Sequence, residues 1–240
     1  MINLAALKSH EAAIGGNTSG SDSDTRAEFV SLCAKNHFGS FCGSAMAAHP
    51  YIEATNHYGT YHVLVDLMGH RHLDGKTMLF LIDGLYGGLD HWDAVPEHWW
   101  SAPFSNQWPA SLLASQDGCA IDSVGLDLLR NERLQKMAPM SGSVYLFLHE
   151  AATADNPASG TFYDPEDDGT RLASLGVHEH WLNADQRVYS RNLDSNVVNG
   201  IELVYAHMPE PGGLAALFAL VALRCGVLQR RRHHVGAELG

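Results

Sequence analysis

Between Trp108 and Arg130 the chain changes rhythm at the polar group Ser115-Gln116-Asp117-Gly118. After it, Ile121, Val124 and Leu128 recur at the i, i+3, i+7 spacing of a buried helical stripe, which predicts a helix. The part before the polar group reads as a loop. Asp117 stands where an N-cap belongs, and Asp122 falls in or near the first turn, where the helix dipole favours negative charge. Upstream, the apolar run Met78-Leu79-Phe80-Leu81-Ile82 predicts a strand ending in Asp83-Gly84, with Gly87-Gly88 just beyond. Open α/β sheets present carboxylates in this way at their carboxyl edge, where ligands bind.

The same reading extends along the chain. Met1 to His10 predicts a short strand running into Lys8 and His10, with neither the charged start nor the apolar stretch of a signal peptide. The chain therefore opens inside a domain, as an N-terminally truncated reading frame would. Residues 15–25 are rich in Gly, Ser and Asp and read as a flexible loop. Phe29, Val30 and Leu32 lead into Cys33 to Ser40, an apolar segment ending in polar groups. Val63, Leu64, Leu67 and Met68 fit a helix, followed by a polar turn at Gly69 to Gly75. The stretch from His91 to Trp108, with tryptophans among prolines, predicts a long loop over the site edge. Ser143 to Ala152 is a helix or a strand carrying His149-Glu150. An acidic, turn-rich loop follows from Asp155 to Arg171, and Ile201 to Tyr205 reads as the last strand. The expected fold is α/β, a mixed or mostly parallel sheet flanked by helices, with long irregular loops and a C-terminal apolar helix. The expected division is one domain over 1–205 and a tail over 206–240.

Composition narrows the functions. The net charge of −12 argues against nucleic acid, because phosphate binding needs clustered Lys and Arg. Cys33, Cys42, Cys119 and Cys225 are too far apart for a zinc ribbon or an iron–sulfur cluster of the usual spacing. Cys33 and Cys42 are either bridged, if the chain is exported, or two buried thiols. Fifteen histidines in 240 residues raise the expectation that some converge on one site.

Two resemblances rest on particular residues. Pro209-Glu210-Pro211, the apolar run from Leu214, and Arg230-Arg231-Arg232 resemble the PEP-CTERM sorting signal. Arg224 inside the apolar run departs from it. That resemblance implies export, membrane anchoring through 214–228, and a sorting peptidase as partner. The body resembles the exported branch of the domain-of-unknown-function family three-six-two. The matching pieces are Ile2-Asn3-Leu4 with Leu7-Lys8-Ser9-His10, Ala34-Lys35-Asn36-His37-Phe38-Gly39, Ile82-Asp83-Gly84-Leu85, and Ser115-Gln116-Asp117 with Ala120-Ile121-Asp122-Ser123. Leu175-Gly176-Val177-His178-Glu179-His180-Trp181 and Tyr189-Ser190-Arg191-Asn192-Leu193 match as well. Gly118-Cys119 stands where the family usually has Pro-Val, and the loop at 15–25 lengthens one edge. The resemblance implies an α/β fold and candidate residues but no reaction.

No G-x-S-x-G, P-loop or dinucleotide fingerprint is present, so metal chemistry is the remaining candidate. Asp164, Glu166 and Asp168 ahead of Gly169 resemble the first half of a calcium loop, although Leu175 stands where an EF-hand needs glutamate. A solvated acidic turn is the other reading. His70-Arg71-His72-Leu73-Asp74 resembles the turn of metallo-β-lactamase-like hydrolases, but Gly75 replaces the histidine that should follow. His178 and His180, two residues apart, point the same way if the segment is extended, as a metal pair requires. Asp83, Asp117 and Asp122 are candidate oxygen ligands or general bases. Lys35 is either a solvated lysine or a cation facing the edge made by Asp83 and Asp117.

The expected function is a metal-dependent hydrolase of a small ester or lactone outside the cytoplasm, with calcium as first metal and zinc as second. In it Lys35, Asp83, Asp117, Asp122 and His178 serve catalysis. Asp164, Glu166, Asp168, His70, His72, Asp74 and His180 supply metal ligands. The rival is a non-catalytic surface protein, with calcium stiffening the acidic loop and the aromatic loop binding a glycan. A redox partner is a weaker third, for lack of cluster cysteines.

Overall fold

The apolar run around Phe80 forms a strand that pairs on both sides. The computed structural model describes residues 1–13, 26–40, 58–89, 96–136 and 146–207. Its sheet has four strands: β1 (Ile2–Ala13), β2 (Arg26–Ser31), β3 (Leu79–Gly88) and β4 (Ser111–Ser115), in the order β2-β1-β3-β4. β1 and β3 are parallel, while β2 and β4 pair antiparallel at the two edges. The sheet is therefore mixed, and with its helices the architecture is α/β. Residues 1–203 form one unit; of the second, Val204–Gly240, only residues 204–207 are described.

Three expectations about strands need correcting. β3 does not stop at Asp83-Gly84 but runs on to Gly88, which pairs with Lys8 of β1. The glycines do not end this strand but let neighbours close in, Leu7 and the Ser111 carbonyl at Gly84 and the Trp99 ring at Gly87. Ser111–Ser115, read as loop, is the edge strand β4. Ile201 to Tyr205 is not a strand. Its groups bond instead to helix α5 (Ser190–Leu193), with Leu203 N–H donating to Asn192 Oδ1 at 3.1 Å and Arg191 N–H to the Ile201 carbonyl at 3.2 Å.

Burial alternates along β3, with Phe80, Ile82 and Gly84 inward and Asp83 outward. On the inward face lies helix α3 (Gly118–Lys136). Its glycines allow close approach, Gly118 against the Phe80 ring and Gly125 against Leu32 and Ile82. The predicted stripe is present but is part of a wider buried surface that includes Cys119, Leu126 and Leu129. The cap is present too: Asp117 Oδ1 accepts the Ala120 N–H at 2.8 Å. Asp122, fully buried, reaches out of α3. Its two oxygens accept the N–H groups of Cys33 and Ala34, both at 2.9 Å, and so start the short helix α1 (Cys33–Asn36).

Helix α2 (Val63–Gly69) forms as expected and buries Leu64, Val65 and Met68, with Val63 and Leu67 half-buried, and α4 (Leu146–Ala152) is helical. The described part of the tryptophan loop is fixed to the far end of α3. There Glu132 accepts the N–H groups of Trp100 at 2.7 Å and Ser101 at 2.8 Å, while the Trp99 ring is fully buried. Cys33 and Cys119 are free, buried thiols. The loop at 15–25, Cys42, Cys225 and the tail with its expected apolar helix and arginine cluster lie outside the described residues. Among the described residues no helix is long and apolar enough to cross a membrane.

Candidate functional site

Three histidines from two segments meet over one face of α3. His178 and His180 lie on a segment that is not a strand, yet both reach α3, His178 at Ser123 and His180 at Asp127 and Arg130, and His149 comes from α4. The His149 and His178 rings meet edge to face at 4.6 Å between centroids, and His178 and His180 at 5.0 Å. Beneath them α3 presents Ser123, Asp127 and Arg130, spaced i, i+4, i+7 and so on one face of the helix.

The segment is held along its length. The Val177 N–H donates to Asp117 Oδ2 at 2.9 Å and the Trp181 N–H to Asp127 Oδ2 at 2.9 Å. Between them Glu179 turns away and accepts from Ser190 N–H at 3.3 Å, Ser190 Oγ at 3.0 Å and Ile201 N–H at 2.5 Å. Glu179 is therefore an anchor, which frees the histidines either side of it for the face over α3.

The hydrogen bonds fix one tautomer for each of two rings. His180 Nδ1 lies 2.6 Å from Asp127 Oδ1, and its Nε2 lies 3.3 Å from an Arg130 nitrogen. A guanidinium can only donate, so Nε2 carries the lone pair and the ring proton sits on Nδ1, facing the carboxylate. Asp127 also accepts from the Tyr189 hydroxyl at 3.0 Å, which keeps it oriented. His178 Nδ1 lies 2.8 Å from Ser123 Oγ, and that hydroxyl donates to the Cys119 carbonyl at 2.7 Å. Ser123 must then accept from His178, whose lone pair is also on Nε2. Ser123 is fully buried with its proton committed, so it is not an activated nucleophile. Burial, reinforced by His149, His180 and Arg130, brings the His178 pKa down to about 3. Burial and His180 likewise lower that of His149, against the pull of Glu150. The His178 and His149 rings are thus held neutral and are weak bases, beside the permanent cation of Arg130.

The other expected site residues are placed elsewhere. Asp83 and Asp117 do not come together. Asp83 projects from the sheet face opposite α3 and accepts the N–H of its own neighbour Leu85 at 2.9 Å, while Asp117 caps α3. Asp122 is sealed beneath α1. Lys35 does not face that pair of aspartates: its ammonium lies 5.4 Å from the Phe38 ring centre, and the charge acting on it is Lys8. Asp74 turns away from His70 and His72 to meet His37 Nε2 at 2.5 Å and Asn3 Nδ2 at 3.1 Å. The His70 and His72 rings are tilted against each other with centres 5.6 Å apart, and Glu166 lies 3.5 Å from His70 Nδ1 and accepts from the Arg71 side chain at 2.8 Å. Asp164 accepts the Gly169 N–H at 2.7 Å, and Asp168 the Thr170 N–H at 2.9 Å. The three acidic side chains of that loop thus bind separate partners. Among the described residues, no group of three His, Cys, Asp or Glu side chains is arranged to hold a metal ion. Glu150 points away from His149, into Ser159 and Tyr163.

Ser123, Asp127, Arg130 and Tyr189 were not among the expected site residues. The signal for the first three is their helical spacing, a polar line on a helix that is otherwise buried. No protein-family model, curated protein or solved structure matches the chain.

Proposed function

We propose that the protein is a hydrolase of a small ester or lactone, acting outside the cytoplasm, with its chemistry at His149, His178 and His180. The observation that carries this reading is the Asp127–His180 pair, at 2.6 Å, which fixes the imidazole with its proton on Nδ1 and its lone pair on Nε2, toward Arg130. An imidazole so oriented is a general base, and the carboxylate behind it stabilises the imidazolium formed when a proton arrives. In the proposed reaction His180 Nε2 takes a proton from water as the water oxygen bonds to the carbonyl carbon. Arg130, released from Nε2 on protonation, faces the negative charge developing on the carbonyl oxygen. The proton then passes to the leaving alkoxide as the ester bond breaks.

A metal-dependent form of the same reading would need Arg130 to leave His180 Nε2; His178 and His180 would then offer zinc Nε2 atoms with both Nδ1 atoms held by protein groups. Calcium would instead require the acidic loop carboxylates to leave their present partners. The non-catalytic rival also draws on an observation: Asp83, Asp164 and Asp168 each bind nearby backbone. The likenesses to family three-six-two and to a PEP-CTERM tail remain proposals, and it is the tail that motivates the extracytoplasmic location.

The test is a screen of p-nitrophenyl esters and simple lactones with the full chain, with and without chelator, beside metal analysis. Asp127→Asn and His180→Asn should each lower turnover about 100-fold or more at unchanged fold. Turnover untouched by both substitutions, or absent throughout, removes the enzyme reading. Turnover surviving the chelator removes only its metal form.

A further inference from the structure

Ser40, His37 and Asp74 stand in one line of hydrogen bonds that runs from the surface into the protein. His37 opens a 3-10 turn, His37–Gly39, directly after α1. Side chains three residues apart eclipse in such a turn, and Ser40 closes this one. Its N–H donates to the His37 carbonyl at 2.9 Å, and its Oγ lies 3.3 Å from His37 Nδ1. On the other side of the ring, Nε2 lies 2.5 Å from Asp74 Oδ1. The side chains of His37 and Asp74 are each only 5% exposed, whereas Ser40 is exposed.

The donors around the ring place its proton. Asn3 Oδ1 accepts from Asn36 Nδ2 at 2.8 Å, which fixes the orientation of the Asn3 amide. Its two N–H bonds then go to the Cys33 carbonyl at 3.0 Å and to Asp74 Oδ1 at 3.1 Å. Neither is left for His37 Nε2, so that nitrogen carries its own proton toward the carboxylate. With the ring neutral, the lone pair is on Nδ1 and meets the Ser40 hydroxyl. Asn3, His37 and Thr77 all direct donors at Asp74 Oδ1, while Oδ2 is buried with no donor among the described residues. A carboxylate left short of positive charge in this way favours an imidazolium beside it. Ser40 thus differs from Ser123, whose proton is held by a carbonyl. A Cβ at the neighbouring Gly39 would meet nothing within 4 Å, so the approach on that side is open.

We propose that Ser40 is an acyl-accepting nucleophile, with His37 as its base and Asp74 orienting the ring, and that it takes the acyl group of an activated ester or thioester. The order of groups is that of a serine–histidine–aspartate triad with the two ring nitrogens exchanged. Ser40 Oγ bonds to the carbonyl carbon while its proton passes to His37 Nδ1. The bond from that carbon to the leaving oxygen or sulfur then breaks, and the leaving group takes the proton. An ester on Ser40 and a neutral His37 remain. Ser40, His37 and Asp74 share no residue with the histidine cluster, so this chemistry does not depend on His180.

The test treats the full chain with a fluorophosphonate, from whose phosphorus Ser40 Oγ displaces fluoride, and maps the adduct by peptide mass spectrometry. Ser40 should label about 100-fold faster than Ser105, an exposed serine of the same chain. Ser40→Ala should lose the adduct, and His180→Asn should label like wild type. Asp74→Asn turns an amide NH2 toward Nε2, so the ring proton moves to Nδ1, which nitrogen-15 shifts of His37 should show. Labelling should then slow about 100-fold at unchanged circular dichroism. Should that variant fail to fold, the comparison of Ser40 with Ser105 in wild type decides. In His180→Asn, p-nitrophenyl acetate should still release p-nitrophenol, and adding Ser40→Ala should remove that release. Labelling of Ser40 no faster than Ser105 overturns the proposal. So does a folded Asp74→Asn that labels at the wild-type rate, or release in His180→Asn that is unchanged by adding Ser40→Ala.

Discussion

Asp117 and Val177, sixty residues apart in the chain, are joined by a hydrogen bond of 2.9 Å from the Val177 amide to Asp117 Oδ2. The other oxygen of the same carboxylate caps α3 through Ala120 at 2.8 Å. One side chain thus starts the helix that carries Asp127 and positions the segment that carries His178 and His180. Asp117→Ala is expected to cost about 1–3 kcal/mol, a cap plus a hydrogen bond to a charged group. The histidine segment should also lose amide-exchange protection at Val177 ahead of global unfolding. Protection at Val177 that is lost only with the whole fold would show that the link does not hold the segment.

Gly176 gives a sharper version. Its φ is +141°, and a Cβ there would fall on the Asp117 carboxylate. Gly176→Ala therefore meets both backbone strain and displacement of the anchor. It should destabilise the protein by roughly 2 kcal/mol or more and, under the hydrolase proposal, lower turnover too. A variant as stable as wild type in urea would count against this tight approach.

At the opposite end of α3, Glu132 is fully buried and accepts the amides of Trp100 and Ser101, with Lys136 Nζ 3.5 Å away. Glu132→Ala leaves two amides without their acceptor, while Lys136 keeps Glu97 at 3.0 Å and the His98 carbonyl; the expected loss is about 2–6 kcal/mol by chemical denaturation. Near-ultraviolet circular dichroism should change as well, because Trp99 is packed by the same loop. A loss below about 1 kcal/mol would mean that the loop is fixed by other contacts.

The parts that were legible in the sequence are those settled by local physics. The helix after Asp117, its cap, and the common direction of His178 and His180 each follow from spacing within a few residues. The rest depends on partners far along the chain. Gly84 and Gly87 look like strand terminators until Leu7 and Trp99 are seen pressed against them. Ser111–Ser115 resembles a loop because an edge strand with Leu112 exposed has no clear inward face. Ile201 to Tyr205 has the alternation of a strand, yet its hydrogen bonds go to α5. Asp83 and Asp117 both read as acidic turns in the sequence, and only the pleat of β3 shows that Asp83 lies on the far face of the sheet. Ser123, Asp127 and Arg130 acquire meaning only once a segment about fifty residues later is laid over them.

Asp122 should show an unusual dependence on pH. Burial raises its pKa to about 7, against the lowering effect of the Ala34 and Cys33 amides. The folded state therefore holds a proton that the unfolded chain releases near pH ~4. This contribution to stability is full below that value and is lost as pH rises through about 7. Asp122→Asn removes the titration and places an amide NH2 against a backbone N–H, a loss of about 1–3 kcal/mol. The gap in unfolding free energy between wild type and variant should be widest near pH ~4 and narrow toward pH ~8. A gap that stays flat, or widens with pH, would place the folded-state pKa of Asp122 at or below its unfolded value.

His178 carries the opposite sign. Its pKa is lowered to about 3 by burial and by the positive field of His149, His180 and Arg130, while an unfolded histidine titrates near ~6.5. The unfolded chain thus binds a proton that the folded protein refuses across that interval. The stability tied to the neutral ring is fully present above about pH 6.5 and falls by up to about 1.4 kcal/mol per pH unit as the solution is acidified. His178→Gln keeps a polar side chain beside Ser123 without the titration. The wild type should lose its lead over this variant between pH ~6.5 and ~4, the range in which the two sides differ in protons bound. Equal acid sensitivity in the two proteins would show that His178 accepts its proton in the folded state, and with it that the ring beside His180 is not held neutral by its surroundings.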